Sequence, residues 1–161
     1  MAPSPRRSLH PLLLDHAWWS ERLRSMRTVR PALLLLPRRD LSHTGLEVIE
    51  FRVKAHDETP LWGLAGRSTF HRAGYAARVR LRGPAAELSI DEGLVAAGTA
   101  DVVLQSPAGR RLEDRVLDLL RVTEVARDMD GVAEIQIQSP RELAPEDDLL
   151  IARQLIATGL A

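Results

Sequence analysis

Between residues 49 and 55 the chain alternates without a break. Ile49, Phe51, Val53 and Ala55 are apolar, while Glu50, Arg52 and Lys54 are charged. A period of two places these sets on opposite faces of an extended chain, so the segment reads as a strand with one buried face. The pattern returns at 75–82, where Tyr75, Ala77, Val79 and Leu81 alternate with a second set that includes Arg78, Arg80 and Arg82. His56–Pro60 (HDETP) follows the first run and is turn chemistry, which makes Leu61–Ala65 the return strand of a hairpin.

Helical patterns fill the gaps between the later strands. Gly83-Pro84 stops the second run, and Ser89 with Glu92 fits a capping box opening a short helix that Gly98 closes. Asp101–Gln105 (DVVLQ) is the next strand. Arg110 to Asp128 is a helix with Leu112, Val116, Leu119, Leu120 and Val125 on its apolar face, and Val132–Gln138 is again a strand. Pro145, followed by Glu146, Asp147 and Asp148, opens a last helix, which Gly159 ends. The expected fold class is therefore α/β: an N-terminal helix and an antiparallel β-hairpin, then β-α-β-α-β-α with a mostly parallel sheet. One feature sits awkwardly with that. Strands covered on both faces read as continuous apolar runs, yet 75–82 and 132–138 are polar at alternate residues. The expectation is a sheet face that is open to water, or covered by a partner or by the N-terminal helix.

Residues 1–30 read as a tail and an amphipathic helix, and residues 31–161 as a single α/β domain. In the helix, Pro11 to Arg30, the residues Leu12, Trp19, Leu23 and Met26 recur at helical spacing, while Arg22, Arg24 and Arg27 lie off that stripe. The helix packs on its own domain, or it docks on a protein partner or a membrane surface. In the second case Trp18, Trp19, Arg22, Leu23 and Arg27 are the contacts. Pro31 and Pro37 bracket ALLLL, a short buried strand or a connector.

Composition removes several classes of function. There is no cysteine, so disulfides, thiolate metal sites and cysteine nucleophiles are excluded. The five histidines (10, 16, 43, 56 and 71) have no metal-ligand spacing, and no cofactor is expected. The formal net charge is zero, which argues against nucleic acid as a partner. The charge is unevenly laid out, with fifteen Lys/Arg against seven Asp/Glu in residues 1–82 and seven against fifteen in 83–161. No apolar run reaches the length of a membrane span, and a cytoplasmic location is the default expectation.

EFRVKAHDETPLWGL at 50–64 resembles the N-terminal hairpin of α/β-hydrolases of the acetyl-xylan-esterase kind. RRLEDRVLDLLRVTEVARDMDGVAEIQI at 110–137 resembles their helix leading into the nucleophile strand. The likeness covers about residues 46–138 and implies a strand ending in G-x-S-x-G, with a histidine base downstream. Here the matching place reads Gln138-Ser139-Pro140-Arg141-Glu142, without either glycine, and no histidine follows His71. Separately, DLSHTG at 40–45 resembles the D-x-S-x-x-G half of a PilZ-type cyclic-dinucleotide site, but Arg24, Arg27 and Arg30 are spaced by three where that family's R-x-x-x-R needs four.

Two functions follow as expectations. The first is a non-catalytic protein-binding accessory or assembly subunit, with another protein subunit or a second copy as partner. The second is a degenerate hydrolase-like domain holding a phosphate or carboxylate ligand at the carboxyl ends of its strands. In that reading Arg82, Ser106, Gly109, Arg110, Arg111, Ser139 and Arg141 carry the ligand, because free N–H groups and the dipole at a helix N-terminus attract anions.

Overall fold

The alternating and helical segments assemble into one mixed sheet with helices on both faces. The computed structural model describes residues 16–70, 75–127 and 132–137. In chain order the elements are α1 (His16–Thr28), β1 (Leu34–Pro37), β2 (Leu46–Lys54), β3 (Pro60–Ser68), β4 (Tyr75–Arg82), α2 (Glu92–Ala96), β5 (Thr99–Gln105), α3 (Leu112–Arg127) and β6 (Val132–Ile137). The helix expected after Pro145 lies outside the described residues. Among the described residues no helix is long and apolar enough to cross a membrane.

The strand order is β1-β2-β3-β5-β4-β6. The pairs β4–β5 and β4–β6 are parallel, as strands joined through α2 and α3 must be. The pairs β1–β2, β2–β3 and β3–β5 are antiparallel. The class is α/β as expected, and the mostly parallel sheet is corrected to a mixed one. The hairpin joins the same sheet through β3, which lies beside β5 with Trp62 opposite Gln105 and Gly66 opposite Asp101.

β3 fits there because of one glycine. A Cβ on Gly63 would meet the Val103 carbonyl oxygen on one side and the Phe51 ring on the other, each closer than real atoms approach. Phe51 is the cross-strand partner of Gly63, so its ring lies over the bare backbone and fills the place a side chain would take.

On one face α1 and α3 cover the sheet. Trp19, Leu23 and Met26 of α1 join Phe51, Val53, Val79, Val102, Leu104 and the apolar residues of α3 in a single buried cluster. Trp19 and Leu23 are thus core residues of their own domain and not partner contacts, which corrects that expectation. Trp18 is half-buried, stands edge-on to Trp19 and carries the Arg22 guanidinium 4.8 Å above its ring. Arg27 reaches Glu124 of α3 at 3.8 Å.

The other face is covered by α2 and the loop before it, over a smaller cluster of Leu46, Val48, Leu64, Val95 and Val103. Asp91 is the N-cap of α2, accepting from the Leu94 N–H, so the cap lies two residues after the one predicted at Ser89. Gly98 ends it as expected, at φ +101°. The polar side of β4 is not open to water. Arg78 and Arg80 both donate to Asp101, which is fully buried, and the Asp91 N–H donates to the same carboxylate. Alternating charge here marks an internal ion network covered by a loop, and the expected open face is corrected at this strand.

β1 departs from expectation the other way. Leu33, Leu34, Leu35 and Leu36 are 41%, 49%, 52% and 37% exposed, because β1 is the edge strand beyond the reach of the covering helices. The buried-strand reading of ALLLL is corrected to an exposed edge.

Candidate functional site

β4 and β5 end side by side at Arg82 and Gln105. Since β3 starts opposite the end of β5, the hairpin turn at 55–59 is delivered to the same edge. Residues far apart in sequence meet there, at the place where open α/β sheets bind ligands.

Arg110 holds the centre. Its Nε and Nη2 donate to both oxygens of Asp118 at 3.0 and 2.7 Å. Its Nη1 donates to Asp57 at 2.6 Å and to the Thr59 hydroxyl at 3.2 Å. The guanidinium thereby clamps the hairpin turn to α3, and its side chain is 7% exposed. Burial works against the charge, but the two carboxylates outweigh it and hold Arg110 above its ordinary value. Burial would likewise raise Asp57, and the bonds from Arg110 and Thr59 overcome that and depress it. Asp118 behaves otherwise: burial pushes its carboxyl up and the Arg110 fork pulls it only part of the way back.

His56 Nε2 lies 2.9 Å from Asp114 Oδ1 beside this clamp. His56, Asp57 and Asp114 each offer a ligand atom, all within 4.8 Å of one another. With Arg110 paired to Asp57 and the His56 ring hydrogen-bonded to Asp114, these groups already serve as one another's partners, and the cluster is a closed polar network as it stands.

The expected ligand residues are distributed unevenly around this edge. Ser106 is buried and its N–H donates to the Arg82 carbonyl at 2.9 Å, tying the ends of β4 and β5 together. Gly109 takes φ +77°, a turn conformation that favours glycine, and delivers Arg110 to α3. Arg111 is 77% exposed and lies 3.4 Å from Glu113 and 3.7 Å from Asp114. Ser139 and Arg141 lie outside the described residues. An anion arriving at this edge finds the Arg110 donors already committed to carboxylates. DLSHTG also has a structural account: Asp40 pairs with Arg38, and the Ser42 hydroxyl accepts the Val48 N–H, closing the β1–β2 turn.

Nothing local in the sequence assigns His56, Asp57, Asp114 and Asp118 to one place. HDETP reads as a turn, and the acidic residues of α3 read as ordinary helix polarity. The available signal was Asp114 and Asp118, four apart on one helix face that the apolar pattern also claims.

A last row runs across the opposite face of the sheet at this end. Leu34, Arg52, Trp62, Gln105 and Arg82 are successive register partners on β1, β2, β3, β5 and β4. The Trp62 indole N–H donates to Gln105 Oε1 at 2.5 Å, and Gln105 Nε2 donates to the Ala86 carbonyl at 2.8 Å.

No protein-family model matches the sequence, and no curated protein matches it. Solved structures do match the fold. They include an acetyl xylan esterase from a Paenibacillus species, with a TM-score of 0.63 and 13% identity over 76% of this chain and 50% of that one. An acetyl xylan esterase from a Thermoanaerobacterium species gives 0.59 and 14% over the same shares. A cold-adapted esterase from an Arctic intertidal metagenomic library gives 0.51 and 10%, over 63% of this chain and 52% of that one. At such identities the likeness concerns fold, and the chain spans about half the length of each of these proteins. The hairpin and the β-α-β-α-β order carry the same resemblance in the sequence, so the described residues have the fold of part of an α/β-hydrolase esterase.

Proposed function

We propose that this chain is a non-catalytic protein-binding domain, an accessory or assembly subunit that docks an extended segment of another protein along β1. The observation that carries this reading is the run Leu33–Leu36, more than a third exposed at every position on an edge strand. Natural edge strands are ordinarily blunted by charge, or covered.

The register supports pairing at this edge. The Arg38 N–H donates to the Val48 carbonyl, so residues 34, 36 and 38 direct their backbone groups toward β2. The N–H and C=O of Leu35 then face away from the sheet, where an added strand would meet them. Pro37 falls on the same outward side, so its missing N–H costs β2 nothing and stops an added ladder at that end.

The test is the native mass of the protein purified from its own cells at low salt, beside a Leu35→Lys variant. A mass well above 17.9 kDa in the wild type that falls back in the variant is the expected result. A wild-type monomer, or a complex indifferent to the lysine, would end the β1 docking reading.

A further inference from the structure

A second feature lies on the sheet face that α2 leaves uncovered, and it is independent of the backbone edge. Leu34, Arg52, Lys54, Pro60, Trp62 and Ala32 line an open cleft of about 560 Å³, within the size range of small-molecule sites. Its wall is held before any ligand arrives. Trp62 is fixed by its bond to Gln105, and only one orientation of that amide satisfies both the indole N–H and the Ala86 carbonyl. The indole's one polar group is thus used on the far side, so the ring presents an apolar face to the cleft.

The cationic rim is also anchored. Lys54 is the only lysine in the chain. Its N–H donates to the Pro31 carbonyl at 2.7 Å, and its own carbonyl accepts from Arg121 Nε at 2.9 Å. The residue after Pro31 is Ala32, which takes φ +48°, a left-handed conformation unusual for alanine, at the mouth of the cleft. Arg52 is the register partner of Trp62, and its side chain is 61% exposed. Among the described residues the one carboxylate in the lining, Glu50, is shared between Arg38 at 3.4 Å and Arg52 at 3.3 Å. The cleft therefore combines a rigid aromatic wall, leucine and proline sides, and two cations against one partly neutralised acid.

We propose that this cleft binds an amphipathic monoanion, an aryl or acyl carboxylate whose apolar body lies against Trp62 and Leu34 and whose carboxylate meets Arg52 and Lys54. The strand-docking surface uses the outward backbone of β1 and the Leu35 side chain. Leu35 pairs with Phe51 on the opposite face of the sheet, so the two sites are separable.

Phenylbutyrate is a suitable probe, followed by tryptophan emission and by equilibrium dialysis, with the uncharged phenylbutyramide as control. The expected result is saturable binding that weakens about tenfold for the amide and about tenfold in Arg52→Glu and Lys54→Glu, the scale of one charge-assisted hydrogen bond. Trp62→Ala should abolish both the emission change and the dialysed binding. Since that variant also removes packing, the two exposed charge reversals carry the decision. Leu35→Lys should bind the probe as the wild type does, so loss of β1 docking and loss of the cleft are told apart. Equal affinity for the amide, unchanged binding in both charge reversals, or no saturation up to about 10 mM would overturn the assignment.

Discussion

At the scale of single residues, the charges that looked like surface decoration are internal. Asp101 has no exposed surface, yet it lies in a run, DVVLQ, that reads as plain strand. Arg78, Arg80 and the Asp91 N–H converge on it, so the buried carboxylate is both paired and hydrogen-bonded. Neutralising Asp101 leaves two largely buried guanidiniums without the carboxylate they share, and the weaker bonds to Asp91 and the Ser89 carbonyl do not replace it. Asp101→Asn should therefore destabilise the fold by about 3 kcal/mol, measured by urea unfolding. A loss below about 1 kcal/mol would mean that water replaces the carboxylate and the network is more open than its burial implies. The alternation of β4 was legible in the sequence, but the destination of its arginines was not, because nothing local links 78 and 80 to residue 101.

At the scale of elements, α1 is fastened by more than its apolar stripe. Arg121 of α3 is 2% exposed and donates to the carbonyls of Val29, just past α1, and Lys54, at the end of β2. Burial lowers its affinity for the proton, and the two carbonyls justify the cost of placing a cation there. Arg121→Met keeps the apolar stem and leaves both acceptors unpaired, so a loss of about 2–4 kcal/mol is expected. Hydrogen exchange should show lost protection at the end of α1 and of β2, with β4 and β5 unchanged. Uniform loss across the sheet would show that Arg121 supports the whole core and not one junction. In the sequence Arg121 reads as one more polar position of α3. The helix was legible, and so were its ends, to within two residues at the start and one at the finish, but not that it is buried on nearly every side.

At the scale of the whole molecule, the hairpin turn and α3 are joined through ionised groups, so stability depends on acid in a definable way. Asp57 has its carboxyl depressed by Arg110 and Thr59, with burial opposing them. A group with a lowered folded value contributes stability that is fully present above its ordinary value near 4, and that is lost as pH falls below it. Asp118 is shifted upward by burial, so its protonation acts in the opposite sense. The expected outcome is a stability–pH curve in which Asp57→Asn is less stable than wild type at neutral pH, with the gap narrowing steadily as pH falls below the ordinary carboxylate value near 4. Parallel curves would show that the Arg110 clamp does not depend on that carboxylate. The same clamp fixes where the turn sits at the carboxyl edge, and so links stability to the geometry of the candidate site.

Periodicity and turn chemistry are local, and they settled what is local. The alternation at 49–55 and 75–82, the HDETP turn, Gly98 at the end of α2 and the long α3 follow from side-chain spacing and backbone preference alone. The likeness to esterases rests on the same element order. Pairing between distant strands is not local. That β3 sits beside β5, making the sheet mixed, is a pairing of distant strands that the bare backbone of Gly63 permits, and β1 is exposed because it lies at the sheet edge beyond the helices. The same holds for the site residues: helix-start chemistry marks Gly109 and Arg110 in the sequence, but Asp57 and Asp118 become partners of Arg110 only when tertiary packing brings residues 57 and 118 to its guanidinium. An ion pair depends on distance in space, and the chain's own order does not encode that distance until the core has formed.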